Sequence, residues 1–105
     1  MEMKEILAAS TALGFDILSH GAETYRVEES ITRMCRAYGY EHTDVFVIPS
    51  SIVVTVTDET GAYLTRTRRI LSRDTDLDKV DKLNALSREI CEQTPDYETI
   101  MTKLR

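Results

Sequence analysis

The spacing of apolar residues changes twice along this chain, and those two changes restrict the fold more than any other feature. From Met3 to Leu18 the apolar residues recur at steps of three and four, as Met3, Ile6, Leu7, Leu13, Ile17 and Leu18, with Ser10 and Gly14 completing the stripe. That period predicts a helix over residues 2–20, closed by Gly21, and its two small residues allow a neighbouring helix to approach closely. A second stripe of Val27, Ile31, Met34, Cys35 and Tyr38 predicts a helix over 22–38 with "YGY" as its stop. Glu29 and Arg33 form an i,i+4 pair on its outer side. The short connection makes the two helices antiparallel neighbours.

The spacing then drops to two. "DVFVIPS", "SIVVTVTD" and "GAYLTRTRR" are rich in β-branched and aromatic residues, and "PSS" and "DETG" separate them as turns. They predict a three-stranded antiparallel meander. Ile52, Val54 and Val56 make one face of its middle strand more apolar, so that face packs on the helices. Helical spacing returns at 76–92, through Leu77, Val80, Leu83, Asn84, Ser87, Ile90 and Cys91, after a cap drawn from Asp74, Thr75 or Asp76. "TPD" breaks that helix. "YETIMTKLR" adds a short amphipathic piece with Tyr97, Ile100, Met101 and Leu104 on one side. The order is ααβββαα, an α+β fold with a meander packed on a helical layer, and the 105 residues suit a single domain.

Function classes narrow from here. The net charge of −5 disfavours indiscriminate binding to nucleic acid. The longest apolar runs, "VFVI" and "IVV", fall far short of the ~20 residues of a spanning helix, and "MEMKEIL" lacks the apolar core of a signal peptide, so a soluble chain is expected. Cys35 and Cys91 read as inward-facing free thiols, with one disulfide between them left open. His20 and His42 provide no metal set. Ser19-His20 and His42-Thr43-Asp44 lack a nucleophile elbow or oxyanion loop, and no phosphate loop or dinucleotide fingerprint is present. No cofactor, metal or catalytic residue is therefore expected.

Two constellations could carry chemistry. The first lies at the start of the second helix. At about 100° per residue, Glu23 falls in the apolar sector near Val27, while Tyr25 falls on the charged side near Glu29 and Arg36. Asn84 and Ser87 likewise point inward from the third helix. The expectation is that Glu23 sits at the rim of the helix layer, in the first turn after a cap at His20 or Gly21, or meets Asn84 or Ser87 across it. An interhelical hydrogen bond is expected of Asn84 and Ser87. The second constellation is Arg66, Arg68, Arg69 and Arg73, which stand between residues 62 and 73 with no acid among them. They could hold a carboxylate, phosphate or lipid headgroup, or protect a solvated edge strand. Arg66 and Arg68 share a strand face and Arg69 points away.

"HGAETYRVEESITRMCRAYG", "VFVIPSSIVVTV", "TRTRR" and "DLDKVDKLNALSREI" together resemble the N-terminal soluble domain of the threonine/serine exporter (ThrE-like) family, from about Leu18 to the C-terminal end. The resemblance implies a soluble domain, here residues 1–105, that precedes a multi-span membrane region in a larger exporter of small amino acids or carboxylates. The chain lacks that membrane region, so it is either an excised domain, the favoured expectation, or a stand-alone relative, and the resemblance implies a place on the cytoplasmic side of the membrane. The leading expectation is a non-catalytic domain for regulation, assembly or gating, with Glu23, Tyr25 and Arg26 on a contact surface. Its partners would be the membrane-spanning region or a subunit of the same transporter, a second copy of the chain, and threonine, serine or a small carboxylate, with no nucleic acid. The alternative is a ligand-binding or hydrolase-like domain using Glu23 with Asn84 and Ser87.

Overall fold

The structure, a computed structural model, describes residues 1–105 and runs α1 (Met3–Ser19), α2 (Thr24–Ala37), β1 (His42–Ile48), β2 (Ser51–Thr57), β3 (Tyr63–Arg69), α3 (Leu77–Gln93) and α4 (Tyr97–Lys103). The ααβββαα order and the antiparallel meander, with strands side by side as β1-β2-β3, match the expectation from spacing. No helix is long and apolar enough to cross a membrane.

α1 is the centre of the molecule. It packs on α2, β2, β3, α3 and α4, and it buries Ala9, Ser10 and Thr11 as well as its apolar stripe. Gly14 permits the close α1–α2 approach, because a Cβ there would come 2.5 Å from Ile31 Cδ1. The helix ends at Gly21, whose φ of +108° suits glycine. Gly21 N–H donates to Leu18 O and Ala22 N–H to Ile17 O, which satisfies carbonyls the helix leaves free. α2 closes the same way, with Gly39 N–H donating to Arg36 O and Tyr40 N–H to Cys35 O.

The helical part has more depth than a single layer. α1 and α2 lie on the sheet, whereas α3 packs on α1 and α2 and α4 packs on α1. Ile52, Val54 and Val56 of β2 are fully buried, with α1 packed over that strand and α2 over β1. Across the register Val54 faces Arg66 and Ile52 faces Arg68, so the inner face of β3 is cationic where that of β2 is apolar. The outer face of the sheet is open, with Phe46 and Tyr63 both more than half exposed. The outer edge of β1 is guarded, since Val47 N–H donates to Glu28 Oε2 at 3.0 Å.

Candidate functional site in the cleft between α2 and α3

α2 and α3 stand apart enough to leave a cleft of about 270 Å³, lined by Arg26, Glu29, Ser30, Arg33, Asn84, Ser87, Arg88, Cys91 and Glu92. Helical spacing builds both walls. Arg26, Ser30 and Arg33 follow at i, i+4 and i+7 beside the buried Val27–Ile31–Met34 stripe. Asn84, Ser87, Arg88 and Cys91 follow at i, i+3, i+4 and i+7 beside Val80, Leu83 and Ile90. The start of α3 is fixed by Asp76, whose carboxylate accepts Lys79 N–H at 3.1 Å.

The lining carries both signs. Glu29 Oε1 pairs with Arg33 Nη2 at 2.6 Å. Arg26 and Arg88 form no ion pair, and neither does Glu92. Ser30, Asn84 and Ser87 make no side-chain hydrogen bond within the protein, although Ser87 is buried. Polar groups in that state are expected to find partners, and here their free donors and acceptors face the cleft. Burial pushes the Cys91 thiol above its usual range, with Arg33 opposing and Glu92 adding. It therefore stays protonated at neutral pH and is a poor nucleophile. Neither serine is hydrogen-bonded to a base, and no group of three or more His, Cys, Asp or Glu residues is arranged to hold a metal. The cleft can bind a small polar ion through guanidinium, carboxylate, hydroxyl and amide groups.

The structure sorts the sequence candidates. Arg26, Asn84 and Ser87 come together in the cleft, but Asn84 and Ser87 form no interhelical hydrogen bond, and their side chains line the space between the helices. Glu23 is exposed and outside the cleft. It is itself the N-cap of α2, with extended backbone, and its carbonyl accepts Arg26 and Val27 N–H. Glu23 precedes the helical residues, so its side-chain direction does not follow the helical period. Tyr25 is 53% exposed, with the Arg26 guanidinium 5.5 Å from its ring centroid. Arg33, Arg88, Glu29 and Glu92 were not anticipated as site residues. Their i+4 and i+7 spacing from Arg26 and Asn84 was the available signal.

The other arginines do not make a single patch. Arg66 and Arg69 are exposed on opposite faces of β3, Arg73 is exposed in the following loop, and Arg68 is half-buried with its guanidinium 3.8 Å from the Phe15 ring centroid. Arg68 and Arg69 border a hollow of about 530 Å³ that also contains Asp16, Ser19, His20 and Asp74. His20 Nδ1 and Asp74 Oδ1 are hydrogen-bonded at 2.6 Å. Both cysteines are free thiols, Cys35 buried beside the Ser10 hydroxyl.

The family model described as a threonine/serine exporter, ThrE, matches residues 9–105. No curated protein and no solved structure matches the chain.

Proposed function

The chain belongs to the ThrE threonine/serine exporter family, and from that premise we propose that it serves a transporter as a non-catalytic regulatory or assembly module whose α2–α3 cleft senses a small amino acid or carboxylate. The observation that carries this reading is the unpartnered lining. Asn84, Ser87 and Ser30 leave hydrogen-bonding groups unused between the free guanidiniums of Arg26 and Arg88 and the carboxylate of Glu92. A hydroxylated α-amino acid offers the complement: a carboxylate for the arginines, an ammonium for Glu92, and a hydroxyl for Asn84 or Ser87. A volume of about 270 Å³ suits a molecule smaller than a drug-sized ligand.

In this reading the module sits on the cytoplasmic side beside the membrane-spanning region of the same transporter. The exposed Glu23 and Tyr25, at the α1–α2 junction next to the cleft, form its contact with that region or with a second copy of the chain. Ligand in the cleft would bridge α2 and α3 and bias that contact.

Thermal melts with threonine, serine and a small dicarboxylate test the sensing role. A saturating ligand at about 100 times its Kd should stabilise the chain by about 2.7 kcal/mol. No shift with any of the three would remove ligand sensing from the proposal. Deleting only this region from a full-length transporter tests the regulatory role, which unchanged expression, assembly and export would sink. Hydrolysis of an amino-acid ester or amide, abolished by Ser87→Ala, would overturn the non-catalytic reading.

A further inference from the structure

We propose that the segment from Arg66 to Arg73 is a docking surface for an anionic lipid bilayer, in which exposed arginines meet the headgroups and Leu71 enters the layer beneath them. Residues 62–73 hold four arginines and no acid, in a chain whose net charge is −5. None of the four forms an ion pair. Of the acids that follow, Asp74 bonds to His20 at 2.6 Å and Asp76 caps α3. The acidic remainder of the molecule is repelled by an anionic surface, so this segment is the face that turns toward it.

Leu71 gives the surface its apolar part. It is 86% exposed, the most exposed large apolar side chain, and Leu77 nearby at the start of α3 is 62% exposed. The segment around Leu71 is anchored on both sides. Ile70 is buried and its N–H donates to Ser50 O at 2.8 Å. Asp74 N–H donates to Ser19 O at 2.9 Å and Asp76 N–H to His20 O at 3.0 Å. Leu71, Ser72 and Arg73 are thus presented between fixed points, and docking has little backbone freedom left to remove.

A bilayer fits this surface better than a free small anion. The hollow beside Arg68 and Arg69 also presents the carboxylates of Asp16 and Asp74, which would oppose a phosphate lodged there. Arg66 and Arg73, by contrast, stand exposed outside that hollow. Arg69 and Leu71 share the parity of the outer sheet face, and an extended layer of headgroups reaches Arg69 and Arg73 and also accepts Leu71, which a free phosphate does not.

Co-sedimentation of the whole chain with vesicles of phosphatidylcholine alone, or mixed equally with phosphatidylglycerol, tests the proposal. Binding is expected to the mixed vesicles only, and to fall away as salt rises from about 0.05 M to about 0.5 M. Arg69→Ser and Arg73→Ser should each weaken it about fivefold, and Leu71→Ser about tenfold. All three side chains are exposed, so circular dichroism should show the same fold in each variant. Equal binding to both vesicles, binding indifferent to salt, or variants that bind like the parent chain would each overturn the proposal. Displacement by millimolar inorganic phosphate at constant ionic strength would overturn it in favour of a small-anion site.

Discussion

The molecule carries two groups of arginines that differ in shape and company. Arg26, Arg33 and Arg88 line a concave cleft between α2 and α3, interleaved with Glu29 and Glu92 and with three uncharged hydrogen-bonding residues. Arg66, Arg68, Arg69 and Arg73 run along an edge strand and the loop beyond it, with Leu71 exposed among them. Guanidinium chemistry is the same in both, so the surroundings decide what each can hold. Acids within a small cleft favour a compact zwitterion and reject a polyanion. Exposed cations along an edge strand and loop, beside an exposed leucine, favour an extended anionic layer. Counting arginines in the sequence would have treated the two groups alike.

The largest effect expected from breaking this comparison comes from the cleft. Arg26→Ala combined with Arg88→Ala removes both free guanidiniums and should weaken binding of the cleft ligand by about a hundredfold, about 3 kcal/mol for two charge-assisted hydrogen bonds. Vesicle binding should stay unchanged. Calorimetric titration and co-sedimentation read the two sites separately. If both activities fell together, the arginines would form one electrostatic surface and the distinction would collapse.

Next in size is a change in the packing beneath the cleft. Gly14→Val places a branched side chain where even a Cβ comes 2.5 Å from Ile31 Cδ1. Overpacking of this kind costs about 1–3 kcal/mol, measurable as a lower urea midpoint. Val27 and Ile31 stand on α2, which forms one wall of the cleft, so ligand affinity should drop at temperatures where the chain is still folded. The loop around Leu71 is tied to the far end of α1, and its vesicle binding should change less. His20→Ala acts on the opposite side. It removes the hydrogen bond to Asp74 and should cost about 1 kcal/mol, loosening the loop while leaving the cleft affinity as it was. Amide exchange at Asp74 and Asp76 checks it.

The fold was legible in the sequence because it rests on period. The switch from steps of three and four to steps of two, and back, marks α1, α2, the meander and α3 within two residues of their observed ends. The buried faces of α1 and β2 follow from the same rule. Period stopped short where side-chain direction depends on tertiary geometry. It put Glu23 on a helix face although the residue is a cap, and it could not show that a cleft opens between α2 and α3 beside Asn84 and Ser87. Nor could it show that Arg68 lies over Phe15, 53 positions earlier in the chain, because nothing local in "TRTRR" distinguishes that arginine from Arg66. The cleft was half legible: Arg26, Asn84 and Ser87 were readable, and Arg33 and Arg88 needed only the next turn of the same helices.

The smallest expected effect concerns an acid beside the cationic edge strand. Asp16 on α1 is partly buried, near Lys79 of α3, Arg68 of β3 and His20 at the C-cap of α1, with Asp74 bonded to that histidine. Burial raises its pKa above the ordinary 3.8, and the three cationic neighbours offset this only in part. The native state therefore holds the proton more tightly than the unfolded chain does. Stability falls as pH rises from 3.8 through the raised value, and the loss is constant above it. Asp16→Asn has no charge to desolvate, so the variant should melt slightly higher than the parent at neutral pH, by about 2 °C given the solvent screening of a half-open carboxylate. The gain should vanish below pH 3.8, where the parent carboxyl is protonated in both states. Removing this counter-charge beside Arg68 should also strengthen vesicle binding modestly and leave the cleft ligand unaffected. A variant that melts lower than the parent at pH 7 would mean that the attraction to Lys79, Arg68 and His20 outweighs burial. Asp16 would then act as the neutralising partner of the cationic edge, and the contrast with the acid-laced cleft would be one of degree.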